Sequence, residues 1–374
     1  MPVAGLKAKG GGKCYSPVPL ARSIQTKTAP MTSVSASTNA SSRSLEGIAC
    51  VVIGMLLFVG QDGMMKFMLE IFPIWTLMAV RGLIALVVLT SLILWLGKPH
   101  RLFTPLWRLH VLRGLLLGFG FSLFYAAFPF MNLAEVSTIF FSAPLMIGVL
   151  SVVMLGETIG KHRTAALVIG FVGVLIAMNP QIDNFRWATI LPLVCAFSYA
   201  LAQILARRIG ERETTLTTGL YTLVFSSLAV LPAGWLLNQV VDIGPDMVHL
   251  GWHFPALDGQ LVVFLILVGI NGSIGFLLLS RAYQVANASL VAPFDYTYLP
   301  FATLMAYFVW SEVPSTNTLI GMALIIACGL YLGYREIRNA QSQNDPLPVA
   351  ETFVAPGNPM GTPDLDWEDS TGDP

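Results

Sequence analysis

Two stretches decide the fold: residues 134–157, AEVSTIFFSAPLMIGVLSVVMLGE, and residues 286–312, ANASLVAPFDYTYLPFATLMAYFVWSE. Each is an apolar run long enough to cross a bilayer. Each carries a proline near its middle (Pro144, Pro300) and ends on a glutamate (Glu157, Glu312), the two glutamates standing 155 residues apart. A turn and an apolar, glycine-bearing stretch follow in both cases, with Gly170 and Gly173 in one and Gly321 and Gly329 in the other. The chain repeats itself on the scale of whole membrane spans.

Working outward, such stretches recur ten times: 46–69, 73–96, 110–131, 134–155, 161–178, 187–206, 214–237, 259–280, 287–310 and 314–334. One could be a buried core helix, but ten in series cannot share a soluble core. Only 11% of the 374 residues are charged and the mean hydropathy is +0.70, so the bilayer must solvate most of the chain. The shortest span, 161–178, still reaches about 27 Å at the helical rise. The expected fold is an all-α polytopic membrane protein with ten transmembrane helices. Five spans is an odd number, so a five-span unit occurring twice sits in opposite orientations. The fold is then two inverted five-helix repeats, 46–179 and 187–335. Such repeats build alternating-access carriers, with the site at the repeat interface near the midplane.

Charge sets the orientation. With the N-terminus inside, 18 of the 21 Lys and Arg fall on the inner side, Arg113 and Arg281 among them, and Arg186 alone falls outside. The longest outer connection, 238–258, has Asp242, Asp246 and Asp258 and no base. Both termini are therefore expected in the cytoplasm, with a bacterial inner membrane as the host. Residues 1–45 form a basic Ser/Thr-rich tail and residues 336–374 an acidic Pro-rich one; both read as disordered. A transit peptide, or a start at Met31, are the alternative readings of the first. Cys14, Cys50, Cys195 and Cys328 do not pair by spacing and read as small apolar residues.

Several segments carry a family likeness. They are Arg113-Gly114-Leu115-Leu116, the run from Tyr125 to Glu135, Phe141-Ser142-Ala143-Pro144-Leu145, Leu155-Gly156-Glu157, Gly170 to Leu175, Ser280 to Ala286, and Ala292-Pro293-Phe294. Taken in order, this set resembles the drug/metabolite transporter superfamily, in particular carriers with two EamA-type domains. The likeness covers residues 46–335, and within the family it is most similar to carriers of S-adenosylmethionine or riboflavin; Asp62 belongs to that similarity. It implies transport of a small organic metabolite, amino-acid-like compounds included. Trp310-Ser311-Glu312 departs from the Leu-Gly-Glu of the family, which puts a tight turn there in question.

Charges inside spans cost about 2.5–3.5 kcal/mol even on insertion scales and mark function by default. Asp62 and Lys66 stand one turn apart, a spacing that fits an intrahelical ion pair. Gln203 and Arg207 repeat that step in the sixth span, so Asp62 and Gln203 are paired candidates facing a central cavity. Arg81 is about 12 Å deep in the second span and needs a partner, a substrate anion or Asp62. Asp295, with Tyr296 and Tyr298 beside it and Pro293 and Pro300 around it, is a candidate cation or proton site. Tyr125 and Tyr199 are candidate stacking surfaces for a flat ring. Glu157 and Glu312, at span ends, read as caps or surface ion pairs.

No Walker-type phosphate loop, His-Glu-x-x-His or Cys-x-x-Cys occurs, so no cofactor, metal or built-in ATP hydrolysis is expected. His249 and His253 make only a lone pair four residues apart. The expected partners are a small-molecule substrate and the lipid bilayer, with protons and a second copy of the chain as further ones. Nucleic acid is not among them. The rival reading is an intramembrane enzyme or flippase for lipid-linked substrates, which would gather its acids or histidines at one interface.

Overall fold

Backbone N–H and C=O groups inside a bilayer must find partners within their own segment, so each span has to be helical. The computed structural model bears this out over the residues it describes: 33–96, 104–155, 160–180, 186–210, 215–240, 245–253, 259–285 and 291–343. The chain divides into two units, Met1–Ala40 and Ser41–Pro374. The first is described only from residue 33, and the second holds the membrane bundle.

The helices of the first repeat are α1 (Ser33–Met68), α2 (Ile74–Leu96), α3 (Trp107–Ala126), α4 (Leu133–Phe140), α5 (Ala143–Leu155) and α6 (Lys161–Met178). Those of the second are α7 (Ile190–Gly210), α8 (Thr215–Val240), α9 (Gly259–Val285), α10 (Tyr298–Trp310) and α11 (Thr316–Gln343). Short 3-10 turns cover Trp187–Thr189, Pro245–Leu250 and Ala292–Thr297. Eight segments among the described residues are long and apolar enough to span a membrane, with Thr164–Met178 a shorter apolar helix. Helix α1 begins ahead of the expected boundary at 46, and α11 continues past 335. The remainder of both tails, Cys14, and the Gly156-Glu157 turn lie outside the described residues.

The two stretches that reveal the repeat are both broken helices. The fourth span, expected as one helix, is interrupted at Phe141-Ser142 and restarts with Pro144 in the first turn of α5, where a missing N–H costs nothing. In the ninth span the 3-10 turn Ala292–Thr297 changes into α10 at Tyr298. Those two junctions are again 155 residues apart, and they meet: the Phe141 ring lies 5.6 Å from Tyr296 and 5.7 Å from Tyr298. Turn and helix together, 292–310, still cover roughly 30 Å.

Packing between the repeats obeys a twofold pattern. Helix α2 packs on α9 and α3 on α8; α2 packs on α8, α4 on α10 and α6 on α11. The second-with-eighth and third-with-seventh span contacts are counterparts of each other, and α2–α8, α4–α10 and α6–α11 join like with like; α7 packs in addition on α3, α4 and α5. The α6–α11 contact needs the absence of a side chain: a Cβ on Gly321 would run into the Gly173 carbonyl oxygen. Outward faces are apolar, as in Leu83, Val87 and Leu94 along α2, which is what a lipid-facing stripe requires.

Candidate functional site

Broken helices, cross-packed repeats and buried polar side chains coincide in the centre of the bundle. Four of the expected residues form one connected group there. Asp62 on α1 is fully buried. Tyr125 on α3 donates its hydroxyl to Asp62 Oδ1 at 2.8 Å, and Tyr298, the first residue of α10, donates to Oδ2 at 2.5 Å. Arg81 on α2 donates from Nη1 to the Tyr125 oxygen at 2.8 Å, with its guanidinium carbon 5.7 Å from the ring centre. Gln61 interacts with both Asp62 and Tyr125. The carboxylate thus receives both phenols, and the cation reaches it through one of them. Three spans of the first repeat and one of the second build this group, and a hydrogen bond to an ionised acceptor is worth about 1.5–3 kcal/mol.

The second group lies toward the other end of the spans. Gln203 Nε2 donates to the Tyr199 oxygen at 2.5 Å, one turn away on the same helix. Tyr199 stands within electrostatic reach of Arg113 and Asp295, both fully buried. Arg113 donates from Nη1 to the Thr222 hydroxyl on α8, and Thr222 in turn donates to the Thr218 carbonyl at 2.7 Å. His110, one turn before Arg113, is also fully buried and stacks on Tyr221 at 5.0 Å.

Aromatic rings fill the space between the two groups. Tyr125 meets Phe124 edge-on at 5.3 Å, Phe124 meets Phe140 at 5.4 Å, and Phe140 meets Tyr199 at 5.4 Å. Phe121 packs against Phe124, Phe140 and Tyr199. These rings come from α3, α4 and α7, with Tyr296 and Tyr298 closing the set from the ninth span through Phe141.

Four expectations need correction. Lys66 does not pair with Asp62. Its Nζ contacts Glu312 Oε1 at 2.5 Å and lies 5.1 Å from the Trp310 ring centre. Asp62 is already saturated by two phenols, and one helical turn carries Lys66 out of reach of that group toward the end of α10. Glu312 is accordingly no surface group, since its side chain is only 21% exposed. Arg113, counted among the inner loop charges, is inside the bundle. The tight turn at Trp310-Ser311-Glu312 does form: Ser311 adopts φ 56° and ψ 26°, and Glu312 N–H bonds back to the Ala306 carbonyl at 3.0 Å. Arg207 carries no described side chain, so the Gln203–Arg207 step has no counterpart to compare.

A cavity of about 710 Å³ lies elsewhere, between α2, α3, α7 and α8, lined by Trp75, Phe119, Trp187, Val230 and Leu250 among others. None of the nine candidate residues lines it. Its walls are apolar and its exposed members, such as Phe119 and Trp187, face outward. No cluster of three or more His, Cys, Asp or Glu suited to a metal occurs among the described residues. Cys50, Cys195 and Cys328 are free.

The sequence matches the EamA-like transporter family twice, over residues 45–179 and 186–333. The S-adenosylmethionine uptake transporter of Rickettsia bellii (strain RML369-C) is 26% identical over 290 residues, 78% of this chain and 94% of that protein. That of Rickettsia prowazekii (strain Madrid E) is 24% identical, over 80% and 97% respectively. The riboflavin transporter of Vibrio cholerae serotype O1 is 27% identical over 275 residues, 73% of this chain and 87% of the relative. One solved crystal structure aligns with a TM-score of 0.52 at 19% identity, over 79% of this chain and 98% of its own; that likeness concerns the fold alone.

Proposed function

Given that the chain belongs to the EamA-like transporter family, we propose that it carries a small polar organic metabolite across the membrane by alternating access. The two repeats, 46–179 and 187–335, are the rocking bodies, and the substrate binds where they meet. The relatives named above handle S-adenosylmethionine and riboflavin. Both compounds join a flat heteroaromatic ring to a polar arm, and amino-acid-like compounds share the polar arm alone.

One observation carries this reading: a carboxylate, Asp62, bound by phenols from both repeats, with a shell of rings packed edge to face between it and the Tyr199–Gln203 pair. A ring substrate replaces ring contacts in kind, while its polar arm exchanges hydrogen bonds with Asp62, Arg81, Tyr125, Tyr298, Gln203 or Asp295. Tyr296 supports the junction at Phe141. Asp62 and Asp295 are the groups through which protons would couple. The Lys and Arg distribution supports both termini, with their tails, in the cytoplasm of a bacterial inner membrane. Relatives that are all transporters lend nothing to the enzyme or flippase rival.

The test is uptake of labelled riboflavin, S-adenosylmethionine and an amino-acid mixture into vesicles holding the purified chain, with and without a pH gradient. Saturable uptake that Asp62→Asn or Asp295→Asn abolishes is the expected result. Accumulation only under the gradient adds proton coupling. Absence of flux in either direction together with absence of binding defeats the carrier reading.

A further inference from the structure

Helix α1 continues past Asp62 through Gly63 to Lys66, and the end of α10 is folded over both. A Cβ on Gly63 would collide with Met305 Cε and lie 3.3 Å from the Trp310 ring. Glycine there is what lets the α10 side chains press onto α1 directly beyond the Asp62 group. One turn further, Lys66 meets Glu312 at 2.5 Å with Trp310 under its ammonium. Glu312 reaches that position because Ser311 takes a left-handed conformation and turns the chain back after α10.

Helices α1 and α10 belong to different repeats, and two polar joints connect them: Asp62 with Tyr298, and Lys66 with Glu312 at the span ends. The outer joint is the more exposed of the two, with side chains 11% and 21% accessible against complete burial of Asp62 and Tyr298. Parting a mostly buried ion pair leaves each charge uncompensated unless water enters to solvate it, so the pair is either joined and dry or separated and wet. A contact that is dry when joined and wet when parted suits a gate between two packed states.

We propose that Lys66 and Glu312, with Met305 and Trp310 beneath them, form the outer gate of the carrier: the pair holds α1 against α10 when the outer face is shut and parts when the repeats rock open. The inference rests on the orientation and the two-repeat mechanism proposed above. It also reassigns Lys66 from substrate ligand to positioning residue, since its ammonium is occupied by Glu312 and serves to keep Asp62 against Tyr298. Opening exposes Met305 first, because that side chain lies between the pair and Asp62.

The experiment reads the gate without any substrate. In a chain whose four cysteines are replaced by alanine, Met305→Cys is labelled from the outer side by a membrane-impermeant thiol reagent. Labelling is slow while the pair is intact. Lys66→Gln and Glu312→Gln should each speed it by about tenfold, the population shift expected from losing roughly 1.4 kcal/mol of closed-state preference. The charge-reversed double variant Lys66→Glu/Glu312→Lys should return it toward the parental rate, and Lys66→Arg should leave it slow. If a single variant does not fold, the neutral double variant Lys66→Met/Glu312→Leu removes the pair with no orphaned charge, and its labelling should also be fast. Unchanged rates in the folded single or neutral variants, or a reversed pair as fast as the singles, overturns the gate. Flux without a labelling response removes the gate alone. A labelling response without flux of any compound leaves the gate and removes the substrate reading.

Discussion

Asp62 and Gln203 are the paired candidates of the first and sixth spans, yet their surroundings differ in kind. Asp62 takes hydrogen bonds from α3 and α10, helices of two different repeats, and a cation backs one of its donors. Gln203 bonds to Tyr199 on its own helix. Of the two candidate positions, one carries a charge and the other a neutral amide. The joint between repeats is therefore polar and charge-dependent on the Asp62 side. On the Gln203 side the side-chain bond is local, and the cross-repeat link falls to Arg113 and Thr222. Mechanically, the two halves of an inverted repeat need not bear the same load.

The largest effect should come from neutralising that charge. Asp62→Asn keeps shape but surrenders two charge-assisted bonds, about 1.5–3 kcal/mol each, so initial transport rates should fall about 100-fold or more. Gln203→Leu loses one neutral bond within a helix, about 1 kcal/mol, and should cost roughly fivefold. Both are read from vesicle uptake. Equal losses would dissolve the distinction between the halves.

Within the Asp62 group the two phenols can be ranked. Tyr125 joins Arg81 to Asp62, while Tyr298 joins Asp62 only to a neutral hydroxyl, that of Ser137. Tyr125→Phe therefore leaves a buried guanidinium short of an acceptor as well as the carboxylate short of a donor, and should lower transport roughly tenfold. Tyr298→Phe should lower it only several-fold, at about 1–3 kcal/mol per unmet group. Uptake measured on both variants decides the order, and a reversed order would mean that the α10 contact, not the Arg81 relay, sustains the site.

Much of this was legible in the chain beforehand, and the exceptions have a common cause. Ten spans and the repeat follow from hydropathy and from the recurrence of proline and glutamate, because the bilayer imposes helices on any apolar segment. Asp62, Arg81, Tyr125 and Tyr298 stand out singly, being polar or aromatic where lipid would exclude or favour them. Their connection does not, since it depends on how helices bearing residues 44 to 236 positions apart rotate against each other. The i, i+4 rule offered Lys66 a partner in Asp62, and a residue 246 positions away took it instead. Arg113 was read as a loop charge because arginines near helix ends can reach water. The one available signal was its position three residues inside the apolar run 110–131, together with His110 on the same helical face.

Beyond the spans, the connection Pro245–Leu250 closes the end of the bundle where α3 finishes, and it gives a pH test of the same outer region. Its Leu250 carbonyl accepts from Trp75 Nε1 at 3.0 Å and from Asn238 at 3.1 Å. His249, only 5% exposed, packs on Phe130. Burial pushes the His249 imidazole below its ordinary value of 6.5, an interaction with the Ala126 backbone opposing it in part. The folded state therefore binds its proton less readily than the unfolded chain. Stability from this group is complete above about 6.5 and is lost as pH falls through the lower folded value. Melting temperature should drop between pH 7.5 and 5.5, and His249→Gln should flatten that drop. If the slope is unchanged, protonation of this loop does not open the outer region, and any acid sensitivity belongs to the carboxylates.

The smallest effect concerns the two left-handed residues, Asn179 after α6 and Ser311 after α10. Both end a span, but only one carries a residue suited to the conformation. Asparagine visits the left-handed region with local hydrogen bonding, whereas serine pays most of the roughly 1–2 kcal/mol steric cost of its Cβ. Glycine removes that cost and returns about 0.5–1 kcal/mol as extra unfolded-chain entropy. Ser311→Gly should then stabilise by about 0.5–1 kcal/mol, a rise of about 1–3 °C in Tm, while Asn179→Gly should give little or none. Measured side by side in one detergent, a gain at Ser311 alone shows that the turn presenting Glu312 to Lys66 is held by the contacts it makes and not by local preference. Equal gains at both would place the strain in the helix ends generally and not in the turn after α10.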